Sequence, residues 1–271
     1  PDPKVLGRID PYLQQIAQTT AGFTGADLEN LLNEAAILAA KDGRVYLQQE
    51  DIRRAFVKVG IGAEKKSRVI SDKEKKITAF HEAGHAILFH VLPDVGPVYS
   101  VSIIPTGVGA AGYTMPLPEK DEMFNTKNKM LETIMVSLGG RIAEEIIFGD
   151  VTTGASQDIK HASKIARAMV TQYGMSEKFG LMSTASVENQ YLDGQAYMDC
   201  SQETAAEVDK EVMEILQKAY ADAKRILTEN RGLLDEISEF LLVKETITGD
   251  ELMAYVNADR NALPAAEKTE E

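Results

Sequence analysis

The chain has 271 residues, of which 42 are acidic and 29 basic, and its formal net charge is −13. This length corresponds to about two average domains. The content of 44% hydrophobic and 26% charged residues is typical of a globular protein. An acidic surface repels phosphate, which argues against nucleic acid as a partner and against binding to anionic lipid by this piece. The single cysteine, Cys200, excludes an intrachain disulfide.

Apolar residues recur with helical spacing through most of the chain, so we predict a mainly α fold. Residues 1–62 are predicted to form a small bundle of three short helices. Within it, Thr24 followed by Asp27 is a capping signal, and Asp42-Gly43 ends the helix that follows. Residues 63–72 are strongly charged and are predicted to be a linker.

A second block begins near Lys73 with a helix that is predicted to reach about Val91. Two strands are predicted next, in the only strand-rich region, and Pro116 confines the second strand to a sheet edge. These strands comprise residues 98–104 and 113–117. The remaining predicted elements are helices at 123–148, 156–174, 204–230, after 233 and at 250–257, a loop at 183–199, and a polar tail.

The candidate metal site is the run His-Glu-Ala-Gly-His at residues 81–85, inside a predicted helix. Residues four apart on an α-helix differ by about 40° in direction and about 6 Å along the axis, so His81 and His85 can face one ion. Imidazole nitrogens bind Zn²⁺ at about 2.0–2.1 Å. Glu82 is predicted to hold the water that the metal activates and to take its proton. The alternative is two ordinary histidines that match by chance, and the apolar flanks of a buried helix disfavour it.

A catalytic zinc needs a third protein ligand, and the residues leave two acidic candidates. His90 is predicted to be structural, because it lies about 140° round the helix from the second histidine. Glu145 continues an apolar stripe and is predicted to face inward, where Arg141 could pair with it. Asp158 is predicted to lie in the first turn of a helix capped by Ser156, where the helix dipole favours a carboxylate. Spacing alone leaves both candidates open.

Residues 77–86 (ITAFHEAGHA) resemble the peptidase domain of FtsH-type, membrane-anchored, ATP-dependent zinc metalloproteases. The likeness covers most of the chain and continues in VSIIPTG at 101–107, GYT at 112–114, GGRIAEEIIFG at 139–149, TGASQDI at 153–159, MSEK at 175–178 and TITGD at 246–250. Residues 22–36 (GFTGADLENLLNEAA) resemble the helical lid of the AAA+ ATPase domain of the same family.

This resemblance implies a choice of third ligand that spacing does not make. In the family, the ligand is the aspartate of the segment that corresponds to residues 153–159, so Asp158 is the expected third ligand. Glu144 and Glu145 then become supporting or packing residues. Residues 113–115 would form the edge strand that holds substrate as an added strand.

The resemblance also implies how the chain is divided and what the longer protein does. The expected divisions are an AAA+ lid at 1–62, a linker at 63–72, a zinc metallopeptidase domain with a small sheet beside the site at 73–258, and a polar, disordered tail at 259–271. The family further implies a homo-hexamer and a membrane anchor ahead of this piece. We therefore expect the full-length protein at the cell membrane, with this part on the cytoplasmic side and soluble by itself.

A nucleotide-phosphate loop of the type Gly-x-x-x-x-Gly-Lys-Ser/Thr is not found in the sequence. Residues 60–67 come nearest, but Lys65 stands where the second glycine is needed. We therefore expect ATP and Mg²⁺ to be used only by the full-length protein.

The sequence thus predicts a zinc-dependent endopeptidase for unfolded or membrane-extracted polypeptides, the proteolytic part of an ATP-driven protease. One Zn²⁺ per chain would bind His81, His85 and Asp158, and Glu82 would act as the general base. Two alternatives remain. One is a peptide deformylase-like site with Cys200 as third ligand, and the other is an assembly scaffold that holds no stoichiometric zinc.

Overall fold

The computed structural model describes residues 16–20, 22–60, 62, 70–107, 110–117, 124–187 and 196–256. Most of them are helical, in α1 (Gly25–Lys41), α2 (Gln49–Gly60), α3 (Asp72–Val91), α4 (Lys127–Phe148), α5 (Ser156–Thr171), α6 (Gln202–Glu229), α7 (Arg231–Lys244) and α8 (Gly249–Val256). The strands are β1 (Val98–Ser102), β2 (Tyr113–Pro116), β3 (Ala185–Val187), β4 (Ala196–Met198) and β5 (Thr246–Thr248). The predicted fold class, mainly α with a small sheet, is confirmed.

Helices α1 and α2 pack together around a small core of their own, formed by Leu31, Ala35 and Ala55. Helix α1 begins where the sequence predicted it, because the Thr24 hydroxyl accepts a hydrogen bond from the Asp27 N–H while the Asp27 carboxylate accepts one from the Thr24 N–H. This reciprocal cap satisfies backbone donors that a helix start would otherwise leave unpaired.

The bundle formed by α1 and α2 meets the rest of the chain at β1. The Phe56 ring on α2 lies edge-on to the Tyr99 ring, with 6.0 Å between the ring centroids. Aromatic rings attract each other in this arrangement because the positive edge of one ring faces the negative face of the other. The contact therefore joins the N-terminal bundle to the sheet that lies next to the candidate site.

Helix α3 runs through the larger core. Its start is fixed by Ser71, whose hydroxyl accepts a hydrogen bond from the Glu74 N–H. Residues 79–88 are buried except for the partly buried His81, because α4, α7 and the sheet all pack around this helix. Helices α3 and α4 approach closely where Gly84 faces Gly139, since a Cβ at Gly84 would lie 2.6 Å from the Gly139 carbonyl oxygen.

Helix α4 begins later than the predicted Met123, which lies outside the described residues. Its first turn is capped by Thr126, whose hydroxyl accepts a hydrogen bond from the Lys129 N–H. The helix ends at Gly149, as predicted, where the backbone takes a φ of 65°. Glycine adopts this left-handed conformation without steric cost, which makes it a common helix terminator.

The main sheet is antiparallel and has the strand order β2-β1-β5. Strand β2 therefore lies at an edge, as predicted from Pro116. Strand β5 was not predicted, because its three residues are too few to show a period of two. The turn after β5 depends on Gly249, since a Cβ there would overlap the Val98 carbonyl oxygen on β1.

Two other predictions about local structure are wrong. Residues 183–199 are not simply a loop, because β3 and β4 pair with each other inside this stretch. The region from 98 to 118 is therefore not the only one with strands. Most of the predicted linker and all of the predicted tail lie outside the described residues, while helix α3 already begins at Asp72.

The C-terminal helices enclose the core from the other side. Helix α6 packs against α4 and α5, and α7 packs against α3. Buried leucine and isoleucine side chains of α6 and α7 belong to the same apolar cluster as those of α3 and α4. Among the helices in the described ranges, none is long and apolar enough to cross a membrane.

Candidate metal centre

His81 and His85 lie on one side of α3, as their spacing predicted, and their rings are close together. The two Nε2 atoms are 3.1 Å apart, and the ring centroids are 4.8 Å apart with the planes steeply inclined. Two ligand atoms bound tetrahedrally at about 2.0–2.1 Å from a zinc ion would lie roughly 3.3 Å apart. The observed separation of the two nitrogens therefore suits a shared metal ion.

The other ring nitrogen of each histidine is held by the protein. His85 Nδ1 donates a hydrogen bond to the Val136 carbonyl oxygen at 2.7 Å, and His81 Nδ1 donates one to the Glu144 carboxylate at 2.7 Å. A carbonyl oxygen can only accept, so the proton of neutral His85 must be on Nδ1 and the lone pair on Nε2. Hydrogen bonds of this kind fix the orientation of metal-binding imidazoles.

Asp158 reaches the same point from helix α5. Its Oδ2 lies 3.3 Å from His81 Nε2 and 3.8 Å from His85 Nε2. The three residues each offer one ligand atom, and these three atoms all lie within 4.8 Å of one another. Two imidazoles and one carboxylate are a typical donor set for a catalytic zinc, which leaves a fourth position open. These residues therefore fit a zinc ion.

The charges of the two histidines differ. Burial, assisted by the charge of His81, lowers the pKa of His85 to about 4, so this ring is neutral near pH 7. Burial also acts to lower the pKa of His81, but hydrogen bonds to Asp158 and Glu144 outweigh it and raise the pKa to about 10. A metal ion binds the neutral ring, so a cation that binds here replaces the proton of His81.

Glu82 lies beside the two histidines and is buried, with 6% of its surface exposed. Burial raises the pKa of its carboxyl to about 7, against the opposing effects of the His81 charge and of a hydrogen bond from Thr114. That bond joins Thr114 Oγ1 on β2 to Glu82 Oε2 at 2.8 Å. A carboxyl whose pKa is near neutral can both accept and return a proton at pH 7.

Glu144 supports the first histidine from helix α4. It is almost fully buried, and besides the His81 ring it binds the Thr152 N–H at 2.7 Å and the Thr152 hydroxyl at 3.2 Å. Burial alone would raise the pKa of Glu144, but the hydrogen bond from His81 and those from Thr152 lower it, so the group is a carboxylate. Thr152 also precedes the turn that leads into α5, so this carboxylate joins α3, α4 and the Asp158 segment.

We expect Glu144→Gln to weaken zinc binding by about 10- to 100-fold, because the amide replaces one of the oxygens that accept hydrogen bonds from His81 and Thr152. Isothermal titration with zinc measures the effect. Glu145→Gln is the matched control and should bind zinc like the parent chain. An unchanged zinc affinity of Glu144→Gln would show that Glu144 does not support the site.

Gly140 makes room for the first histidine. A Cβ at this position would lie 2.5 Å from both Cδ2 and Cε1 of His81 and closer still to Nε2. Real Cβ atoms essentially never approach other heavy atoms to less than 3.0 Å, so the ring can occupy this position only against glycine. Neither Gly140 nor Thr114 was singled out as a site residue from the sequence, because both act through contacts between distant segments.

The structure separates the two acidic candidates. Glu145 does not face inward as predicted: it points away from the histidines and accepts hydrogen bonds from Tyr220 and from Lys224 on α6. Its neighbour Glu144 lies about 100° further round the helix and therefore faces the site. Ser156 is not the N-cap of α5 but its first residue, and Thr152 caps the short 3₁₀ turn that precedes it. Cys200 is outside the group of candidate ligands.

Two family models match the chain. The model described as peptidase family M41 matches residues 68–255, and the model described as AAA+ lid domain matches residues 10–54. The first match includes all of the residues of the candidate metal centre. The second lies in the part of the chain that contains α1 and the start of α2.

Known proteins of similar sequence are named ATP-dependent zinc metalloprotease FtsH. The relative from Clostridium perfringens is 49% identical over 247 residues, which cover 91% of this chain and 34% of the relative. The relative from Caldicellulosiruptor bescii is 49% identical over 259 residues, which cover 94% of this chain and 42% of the relative. The relative from Thermotoga maritima is 48% identical over 253 residues, which cover 92% of this chain and 42% of the relative. The chain thus spans roughly two-fifths or less of these relatives. It belongs to peptidase family M41 and is of the FtsH zinc metalloprotease type, and its match to the AAA+ lid domain lies ahead of its match to the peptidase family.

Proposed function

We propose that this chain is a zinc-dependent endopeptidase whose metal is held by His81, His85 and Asp158 and whose general base is Glu82. The observation that carries the proposal is the convergence of the Nε2 atoms of two imidazoles, one carboxylate and a buried glutamate beside the edge of a sheet. Zinc, when bound there, supplies a Lewis acid that activates water and polarises the peptide carbonyl.

The side chains of the site divide the remaining work. Glu82 accepts the proton of the attacking water and returns it to the departing amine. Glu144 and the Val136 carbonyl hold the two imidazoles in the orientation in which their Nε2 atoms face the metal. Asp158 offsets the positive charge at the centre.

Substrate would bind as an extended strand along β2. Strand β2 is at the edge of the three-stranded sheet, and no other described strand pairs with its outer side. Peptide added to such an edge gains main-chain hydrogen bonds that depend little on side-chain identity. This arrangement favours unfolded polypeptide with modest sequence preference, because the extended segments of a folded chain are mostly already paired within its own sheets.

We further propose that this chain is the proteolytic part of a longer, ATP-driven protease. The match to an AAA+ lid and the names of the relatives support this proposal. In that protein, a homo-hexamer anchored in the membrane would use ATP and Mg²⁺ to unfold substrates and pass them to the zinc site on the cytoplasmic side. The proposed units are the lid at 1–62, the linker at 63–72, the peptidase domain at 73–258 and the tail at 259–271.

Metal removal tests the central proposal. We expect a chelator to abolish cleavage of an unstructured protein such as casein, and added zinc to restore it in proportion to loading, up to one ion per chain. Magnesium should not restore activity, because two imidazole ligands favour zinc over this oxygen-preferring ion. Mass spectrometry of the products should show internal cuts. A chain that binds no stoichiometric zinc would be a scaffold, and the proposal would be wrong.

A further inference from the structure

The carboxylate of Glu82 is held by a residue of the edge strand. Thr114 Oγ1 lies 2.8 Å from Glu82 Oε2 and 3.2 Å from the Glu82 carbonyl oxygen. The hydroxyl therefore donates to an acceptor on the side chain or on the backbone of the same residue. A hydrogen bond to a charged carboxylate is stronger than one between neutral groups.

Strand β2 gives Thr114 a fixed position. Thr114 is paired with Val101 on the central strand β1, so its backbone is bound to the sheet. Side chains alternate along a strand, so Thr114 faces α3 while its neighbours Tyr113 and Met115 face the other way. As a β-branched residue, threonine also has few side-chain rotamers. The hydroxyl that contacts Glu82 thus belongs to a stiff side chain on a paired strand.

The second carboxylate oxygen of Glu82, Oε1, lies close to the backbone of Gly112, which has no side chain. A Cβ at Gly112 would be 2.9 Å from Glu82 Oε1 and 2.5 Å from the Ser102 carbonyl oxygen. Gly112 therefore leaves the space that Oε1 occupies, two residues before the threonine that binds Oε2. One oxygen of Glu82 is therefore held by a hydrogen bond from β2, and the other has room because the residue just before β2 is glycine.

A glutamate without such contacts would sample several rotamers, because three side-chain torsions separate its carboxylate from the helix. Proton transfer requires the carboxylate within hydrogen-bond reach of the water, so a fixed rotamer contributes directly to the rate.

We propose that Thr114 is a positioning residue for Glu82. Its hydrogen bond fixes the general base relative to the edge strand on which substrate binds. The proposal rests on the function proposed above. Strand β2 then has two roles. Its unpaired outer edge binds the extended peptide, and the side chain of Thr114, on the face toward α3, holds the Glu82 carboxylate at a fixed distance from that peptide. Cleavage by zinc requires both, because the base must reach the water while the scissile bond is in place.

The test compares Thr114→Val with Thr114→Ser in the zinc-loaded chain, using a fluorogenic peptide. Valine keeps the branched shape but removes the hydroxyl, and we expect kcat to fall by about 10- to 100-fold, the usual effect of losing a hydrogen bond to a charged group. KM and zinc stoichiometry should not change, because neither the strand backbone nor the ligands are altered. Serine keeps the hydroxyl and should restore most of the lost kcat.

A double-mutant cycle and a structure separate positioning from general damage. In a Glu82→Ala background, Thr114→Val should cause no further loss of activity, because no carboxylate is left to position. A crystal structure of Thr114→Val should show the Glu82 carboxylate displaced from residue 114. The matched control is Ser100→Ala on β1, whose buried hydroxyl has no hydrogen-bond partner among the described residues, and it should leave kcat unchanged.

The outcomes distinguish this proposal from the one on which it rests. A wild-type kcat for Thr114→Val, or a raised KM with an unchanged kcat, would overturn the positioning role while Glu82→Gln remained inactive. An undisplaced carboxylate in the crystal structure, or an equal loss in the Glu82→Ala background, would also overturn it. Full activity of Glu82→Gln would instead overturn the proposed function itself.

Discussion

Glu82→Gln is expected to lower the rate of peptide hydrolysis by about 100- to 10,000-fold, which is the usual contribution of general acid–base catalysis. Glutamine has the same shape and can still accept the hydrogen bond from Thr114, but it cannot take a proton from water. The measurement is cleavage of casein and of a fluorogenic peptide at saturating zinc. Zinc content should remain at one ion per chain, since Glu82 is not among the three candidate ligands.

A second buried glutamate provides the control for this substitution. Glu132 has the same 6% exposure as Glu82 but lies near the N-terminal end of α4. Its carboxylate accepts hydrogen bonds from the Asp94 N–H and from the Asn128 side chain. Glu132→Gln should therefore retain hydrolysis even if it unfolds at a lower temperature. If Glu82→Gln keeps the full rate, or if both variants lose it equally, Glu82 is not the general base.

Gly140→Ala is expected to abolish stoichiometric zinc binding and with it the hydrolysis of peptides. The new methyl group would overlap the His81 ring at Cδ2 and Cε1. The ring cannot simply turn away, because Glu144 holds its Nδ1 and Asp158 lies 3.3 Å from its Nε2. Overpacking in a buried site also destabilises a protein by about 1–3 kcal/mol. Elemental analysis of the purified variant measures the zinc, and circular dichroism measures the remaining fold.

The matched control is Gly232→Ala at the start of α7. A Cβ at Gly232 would meet no atom within 4 Å, and its backbone is helical, so alanine should be tolerated or slightly stabilising there. One zinc per chain bound by Gly140→Ala with the affinity of the parent would contradict the steric argument. Loss of zinc by a variant that keeps its helical content supports it.

Local features of the sequence were sufficient for the two histidines. An α-helix repeats every 3.6 residues, so the spacing of His81 and His85 by itself determines that they share a face. The cap at Thr24 and the helix end at Gly149 were predictable for the same reason, because each depends on residues within one turn. The fold class followed from the period of the apolar residues, which is also a local property.

Pairing between distant segments limited what could be predicted. Strands β3, β4 and β5 have three residues each, and nothing in so short a stretch distinguishes a strand from a loop until a partner is in place. The rotation of α4 about its own axis was also decided by the elements packed against it. Glu144 and Glu145 are adjacent in sequence, and the apolar stripe favoured the second of them as the inward residue, whereas the packed structure turns the first toward His81.

The sequence by itself thus determined a helix that carries two imidazoles and a carboxylate, and family resemblance proposed Asp158 as the residue that joins them. Only the tertiary structure decided which side chains contact the two histidines and Glu82. Glu144 contacts His81 across 63 positions of the chain, and Thr114 contacts Glu82 across 32. Such contacts have no periodic signal in the sequence, because they depend on how α3, α4 and β2 pack and not on the conformation of any one of them.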